Sequence, residues 1–70
     1  MRLRKQSFVR PDGSATSVSL EPEFWHALRE IAIERGTTPT GLLREVDQRR
    51  TQSNLTSALR LFVLEHFMKF

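Results

Sequence analysis

Residues Ala15 to Glu21, ATSVSLE, alternate in polarity and run straight into Pro22. That alternation is the two-residue period of a strand, with Thr16, Val18 and Leu20 on one face and Ala15, Ser17 and Ser19 on the other. Proline suits the first turn of a helix, where its missing N–H would have no helical partner. The next punctuation, ERGTTPTG at 34–41, ends that helix and opens another. A strand, a helix, a glycine turn and a second helix within residues 15–49 bury too little surface to stand alone. The economical use of such a unit is as half of an intertwined dimer, in which the strand pairs with its own copy and satisfies its backbone by symmetry.

The rest of the composition agrees. A chain of 70 residues with no cysteine has neither a disulfide framework nor a thiolate metal site to compensate for a small core. The absence of cysteine fits a reducing compartment. No apolar stretch approaches the ~20 residues that span a bilayer. Gln6, Arg10 and Asp12 interrupt the basic N-terminus before a signal-peptide hydrophobic region can form. The expected location is cytoplasmic, on the nucleoid if DNA is bound.

The net charge of +3 is unevenly laid out. Residues 1–11 carry Arg2, Arg4, Lys5 and Arg10 and no acid; residues 12–35 carry Asp12, Glu21, Glu23, Glu30 and Glu34 against Arg29 and Arg35. A basic arm on a near-neutral body gathers phosphates through salt-sensitive contacts.

Along the chain, Pro11, Asp12 and Gly13 form a turn signal. It either joins strands Lys5–Val9 and Ala15–Leu20 in a hairpin or separates an arm from a single strand. Phe24, Leu28 and Ile31, flanked by Trp25 and Ala32, make the apolar stripe of a helix over 22–35 that ends at Gly36. Thr38 and Pro39 read as cap and first turn of the next helix, striped by Leu42, Leu43 and Val46. Gly41 near its start either admits a close backbone or phosphate or is a small residue at a packing contact. Thr51 to Asn54 is a polar break. Asn54 or Thr56 caps a third helix reaching His66 or Phe67, in which Leu59, Leu61, Phe62, Val63 and Leu64 leave little polar face. Such a helix is not buried from one side only, which argues for oligomerisation.

Catalytic readings find little support. His26 and His66 lie forty positions apart without ligand spacing to a cysteine or carboxylate. Glu30 and Glu34 sit one turn apart among Arg29 and Arg35, as on a solvated charged face. There is no glycine-rich phosphate loop or nucleophile motif. The expectation is no enzyme, no metal and no cofactor.

The motifs SLEPEFW (Ser19–Trp25), ERG (Glu34–Gly36), Leu43/Glu45/Asp47/Arg50 and the run Asn54–His66 together resemble the ribbon-helix-helix superfamily of DNA-binding proteins. The likeness is to its short bacterial members with an extra C-terminal helix, and it spans about residues 7–67. The resemblance implies a mostly α fold with a short N-terminal β-ribbon, forming an intertwined homodimer whose strands pair antiparallel. It also implies base-facing strand positions at Ala15, Ser17 and Ser19. Phosphate contact falls to the helix start at Thr37, Thr38, Pro39 and Thr40, and the arm residues Arg2, Arg4, Lys5 and Arg10 add to it. Two departures from the superfamily's pattern stand out: the base-facing positions lack long polar side chains, and a further helix follows the minimal motif.

The expected organisation is an arm or first hairpin strand at 1–14, a ribbon-helix-helix core at 15–51 and a C-terminal helix at 52–70 that stabilises a dimer or builds a tetramer. The expected function is a sequence-specific transcriptional regulator, a repressor that binds double-stranded DNA with a paired ribbon in the major groove. The alternative is a protein-interaction module on the same dimer, docking a partner through the ribbon or through Met68 and Phe70.

Overall fold

The computed structural model describes residues 2–50 and 54–68. The order is β1 (Arg4–Val9), β2 (Ala15–Leu20), α1 (Pro22–Arg35), α2 (Pro39–Arg49) and α3 (Leu55–Phe67). It is a short N-terminal antiparallel ribbon followed by three helices. The break at 51–53 and the terminal Phe70 lie outside the described residues.

The ribbon is made within one chain. β1 pairs antiparallel with β2 in the register Arg4↔Leu20, Gln6↔Val18 and Phe8↔Thr16 on one face and Lys5↔Ser19, Ser7↔Ser17 and Val9↔Ala15 on the other. The open choice between arm and hairpin therefore falls to the hairpin. Its turn is closed by the Gly13 N–H donating to the Arg10 carbonyl at 2.9 Å, and Gly13 has φ of 91°, which favours glycine. Asp12 Oδ1 accepts from both the backbone N–H and the hydroxyl of Ser14, at 2.9 and 2.7 Å.

Two side chains from the helices fix β1 at its ends. The Trp25 indole donates to the Arg4 carbonyl and the Arg44 guanidinium to the Val9 carbonyl, each at 2.9 Å. Just past the strand, Arg10 donates to Asp47 at 2.7 Å, and Arg50 reaches the same carboxylate at 3.1 Å. α2 therefore runs alongside β1. The Arg10 and Arg50 hydrogen bonds hold the Asp47 carboxyl below its ordinary range, Arg10 contributing most, against a smaller opposing effect of burial.

Each helix has a local reason for its ends. In α1, Pro22 starts the helix and Gly36 (φ 69°) ends it, with Thr37 N–H donating to the Ala32 carbonyl and Gly36 N–H to that of Ile33. Thr38 caps α2 by accepting from Gly41 N–H at 3.0 Å, and Asn54 caps α3 by accepting from Ser57 N–H at 3.2 Å.

The core collects Phe8, Val18 and Leu20 from the ribbon, Leu28, Ile31 and Ala32 from α1, Leu42, Leu43 and Val46 from α2, and Ala58, Leu59 and Val63 from α3. Leu20, Leu28, Ile31, Leu42, Leu43 and Leu59 are fully buried. The two additions to the minimal strand-helix-helix unit thus supply part of its core. α3 is further tied to the start of α1 by Arg60, which grips Glu21 with two nitrogens at 3.0 and 3.2 Å, and to its end by His66 and Glu34, 3.0 Å apart.

Leu59 is the fully buried contribution of α3. Leu59→Ala is expected to lower unfolding free energy by about 2–5 kcal/mol in denaturant titration. A loss below ~1 kcal/mol would mean that α3 is not an integral layer. Gly36→Ala should cost about 1–2 kcal/mol through the left-handed backbone alone.

Candidate nucleic-acid interface

The face of the ribbon turned away from the core is built from both strands. Its side chains are Lys5, Ser7 and Val9 from β1 opposite Ser19, Ser17 and Ala15 from β2. All are exposed except Ser19, which is half-buried. Ala15, Ser17 and Ser19 therefore share this face with a cation and a third hydroxyl. The sequence places Lys5 in the basic arm and at the start of a candidate hairpin strand, Lys5–Val9, but does not single out Lys5 or Ser7 as groove-facing. The missing signal was the register, which depends on the hairpin forming.

No acid stands on this face. Glu21, next in the outward parity of β2, is held by Arg60, which removes its charge from competition. Its carboxyl is held below the usual range first by its own backbone N–H and then by Arg60.

The arm residues separate into two groups. Arg2, Arg4 and Lys5 are exposed and have no acidic partner among the described residues, whereas Arg10 is committed to Asp47. Arg10 was expected among the phosphate-gathering cations. Its place in the Arg10–Asp47–Arg50 cluster makes it instead a brace between ribbon and α2, because the carboxylate is largely buried and takes both guanidinium groups.

The start of α2 offers less than its composition suggests. Pro39 has no N–H, Gly41 N–H is taken by Thr38, and Leu42 N–H donates to the Thr38 carbonyl. Of the first-turn backbone donors, Thr40 N–H is left, beside the hydroxyls of Thr37, Thr38 and Thr40. Nor does Gly41 admit an outside group. A Cβ there would lie 2.6 Å from Thr37 Oγ1 and 3.3 Å from Thr38 Oγ1, so its small size makes room for the chain's own hydroxyls.

Beside this helix start lies a cleft of about 420 Å³. β1 lines it with Arg4, Lys5 and Gln6, α1 with Trp25, His26 and Arg29, and α2 with Pro39. His26, expected as a surface group, is exposed on this wall; Glu30 and Glu34 are exposed on the same helix. Among the described residues there is no group of three or more His, Cys, Asp or Glu placed to hold a metal ion.

A family model described as a ribbon-helix-helix domain matches residues 3–67. No curated protein and no solved structure matches the chain significantly.

The lowered Asp47 pKa carries a sign. A depressed carboxylate contributes stability above its unfolded pKa, about 3.9, and loses it as pH falls through the folded value. The melting temperature of the wild type should exceed that of Asp47→Asn near pH 6, and the gap should close as pH falls from about 5 to 2. A gap that stays constant through that range would mean that the ionised carboxylate does not brace the ribbon.

Proposed function

We propose that this chain, which belongs to the ribbon-helix-helix domain family, is a sequence-specific DNA-binding regulator of transcription that represses by occupying an operator. Membership makes it a non-catalytic module of a DNA-binding family. The operator, the repression and the paired state are our reading beyond that.

The observation that carries the reading is the acid-free outward face of the ribbon, with Lys5, Ser7, Ser17 and Ser19 presented together. A two-stranded ribbon has the width to enter the major groove, about 12 Å across. Hydroxyls of β2 there donate to or accept from base edges, and Lys5 adds a long cation on the flanking strand. Arg2 lies in the lead-in to the strand, and Arg4 starts the strand on its opposite face. The retention of Glu21 by Arg60 speaks for DNA rather than a cationic protein partner.

The working form is a homodimer. β2 keeps one edge without a strand partner among the described residues, and a second copy pairing there antiparallel would place Ala15, Ser17 and Ser19 of both chains at the centre. With strands ~4.8 Å apart, the two outer β1 strands then fall near the groove walls, where Lys5 meets backbone phosphates. Apolar side chains left outside the core, Ile33 on α1, Leu61, Leu64 and Phe67 on α3 and Met68 just past it, offer further contact between copies and support a tetramer. The protein acts where the DNA is, in the cytoplasm on the nucleoid.

Selection from a random-sequence DNA pool at two salt concentrations, with the mass in solution measured alongside, tests this. The expected result is a short repeated or palindromic site bound by an even-numbered oligomer. The combined change Ser17 and Ser19 to Ala should flatten the sequence preference, by roughly 1–3 kcal/mol at each base pair these side chains read. Substituting Arg2, Arg4 and Lys5 should weaken all DNA alike and reduce the salt slope by about 0.9 per lost phosphate contact. Unselective binding that vanishes near physiological salt would sink the operator reading and favour a protein-interaction module.

A further inference from the structure

Most cations in the described residues have their charge or donors engaged. Arg10 and Arg50 share Asp47, Arg35 and Arg49 share Glu45, Arg60 holds Glu21, and Arg44 donates to a backbone carbonyl. Arg2, Arg4, Lys5 and Arg29 have no such partner among the described residues, and all but Arg2 line one cleft between β1, α1 and the start of α2. No acid lines it. Cations lining a cleft without an acid among them favour an anion there.

From this we infer that the cleft is a binding site for a phosphate group. Its volume, about 420 Å³, lies within the ~300–1,000 Å³ range of small-molecule sites. The two guanidinium forks of Arg4 and Arg29 match the several acceptor oxygens and negative charge of a phosphorylated ligand, with Lys5 at the rim. Gln6 adds an amide, and the indole of Trp25 adds an aromatic surface beside the cations, which suits a phosphate carried on a base. Arg29 is the assignment that neither the arm nor the helix start foreshadows. It stands one helical turn beyond Trp25 on α1, so both reach the same wall.

The phosphate has two sources. Lys5 lines the cleft's edge and stands by register on the outward ribbon face, so one source is a backbone phosphate flanking the groove when the ribbon is on DNA. That source rests on the DNA-binding reading above. A free nucleotide needs no DNA, and would occupy the same cations in competition with the duplex.

Trp25 is the only tryptophan of the chain, so its fluorescence reports on the cleft directly. The full chain is titrated with inorganic pyrophosphate, with a nucleoside diphosphate and with a 20-base-pair duplex, each against sodium chloride at matched ionic strength. The variants are Arg4→Ala with Arg29→Ala, and Arg49→Ala as a cation outside the cleft. Arg4 contributes its backbone carbonyl, not its side chain, to the Trp25 hydrogen bond, so the double variant should melt like the wild type. The expected result is a saturable change with pyrophosphate that chloride does not reproduce, at least about tenfold weaker in the double variant and unchanged in Arg49→Ala. Displacement of pyrophosphate by the duplex assigns the backbone source. Tighter saturation by the diphosphate, undisturbed by duplex, assigns the free nucleotide. Saturation by pyrophosphate in a protein that shifts no duplex keeps the cleft and sinks the DNA reading. A response that chloride matches, or that the double variant retains, overturns the cleft, and duplex binding unaffected by both substitutions would leave the DNA reading standing without it.

Discussion

A strand cannot be left with bare backbone, and in this protein the strand that matters, β2, finds its partner six residues earlier in the same chain. Buried amide and carbonyl groups without partners are costly enough that some pairing is obligatory. Because β1 meets that demand, Phe8 enters the core beside Val18 and Leu20, and α2 gains an edge to lie along. The Trp25 and Arg44 hydrogen bonds then hold β1 from above, and the Arg10–Asp47–Arg50 cluster closes the end. Removing the pairing would cost Trp25, Arg44 and Arg10 these partners and leave Asp47 with Arg50 alone. The layered core and the outward face have the same origin.

This arrangement changes what the third helix is for. Its strongly apolar sequence points to association with another copy, and its outer residues Leu61, Leu64 and Phe67, with Met68 just past it, do remain exposed. Its inner residues, however, have work inside the chain: Leu59 is fully buried and Ala58 and Val63 nearly so. Arg60, lying over the Phe24 ring at 5.9 Å while gripping Glu21, adds a charged clasp at the edge of that contact. One helix therefore serves a core with one side and offers a surface with the other.

Much of the fold could be read from local chemistry. Pro22 and Gly36 bounded α1, Thr38 with Pro39 opened α2, Asn54 capped α3, and the parity of Ala15–Leu20 separated its faces. Each signal acts within four residues of itself, which is why a sequence displays it. β1 stayed undecided because its inward set, Arg4, Gln6 and Phe8, holds a single apolar side chain. What secures it are contacts 21, 35 and 37 residues away, to Trp25, Arg44 and Asp47, and no local period encodes them. The candidate interface inherits that division. Ser17 and Ser19 were legible from β2 alone, while Ser7, the ribbon position of Lys5 and the wall position of Arg29 required the hairpin and the packing of α1 beside it.

The two clasps on β1 both act on backbone carbonyls, those of Arg4 and Val9, and a carbonyl is present whatever side chain the strand carries. The cost of holding the strand is thus borne by Trp25 and Arg44 in the helices. Lys5, Ser7 and Val9 are correspondingly free to drift, since none of them anchors the hairpin through its own side chain. A lineage could exchange these three residues one at a time, sampling new recognition surfaces on a scaffold that stays folded throughout. In this molecule the capacity to diverge is concentrated on the face where divergence would alter what is recognised.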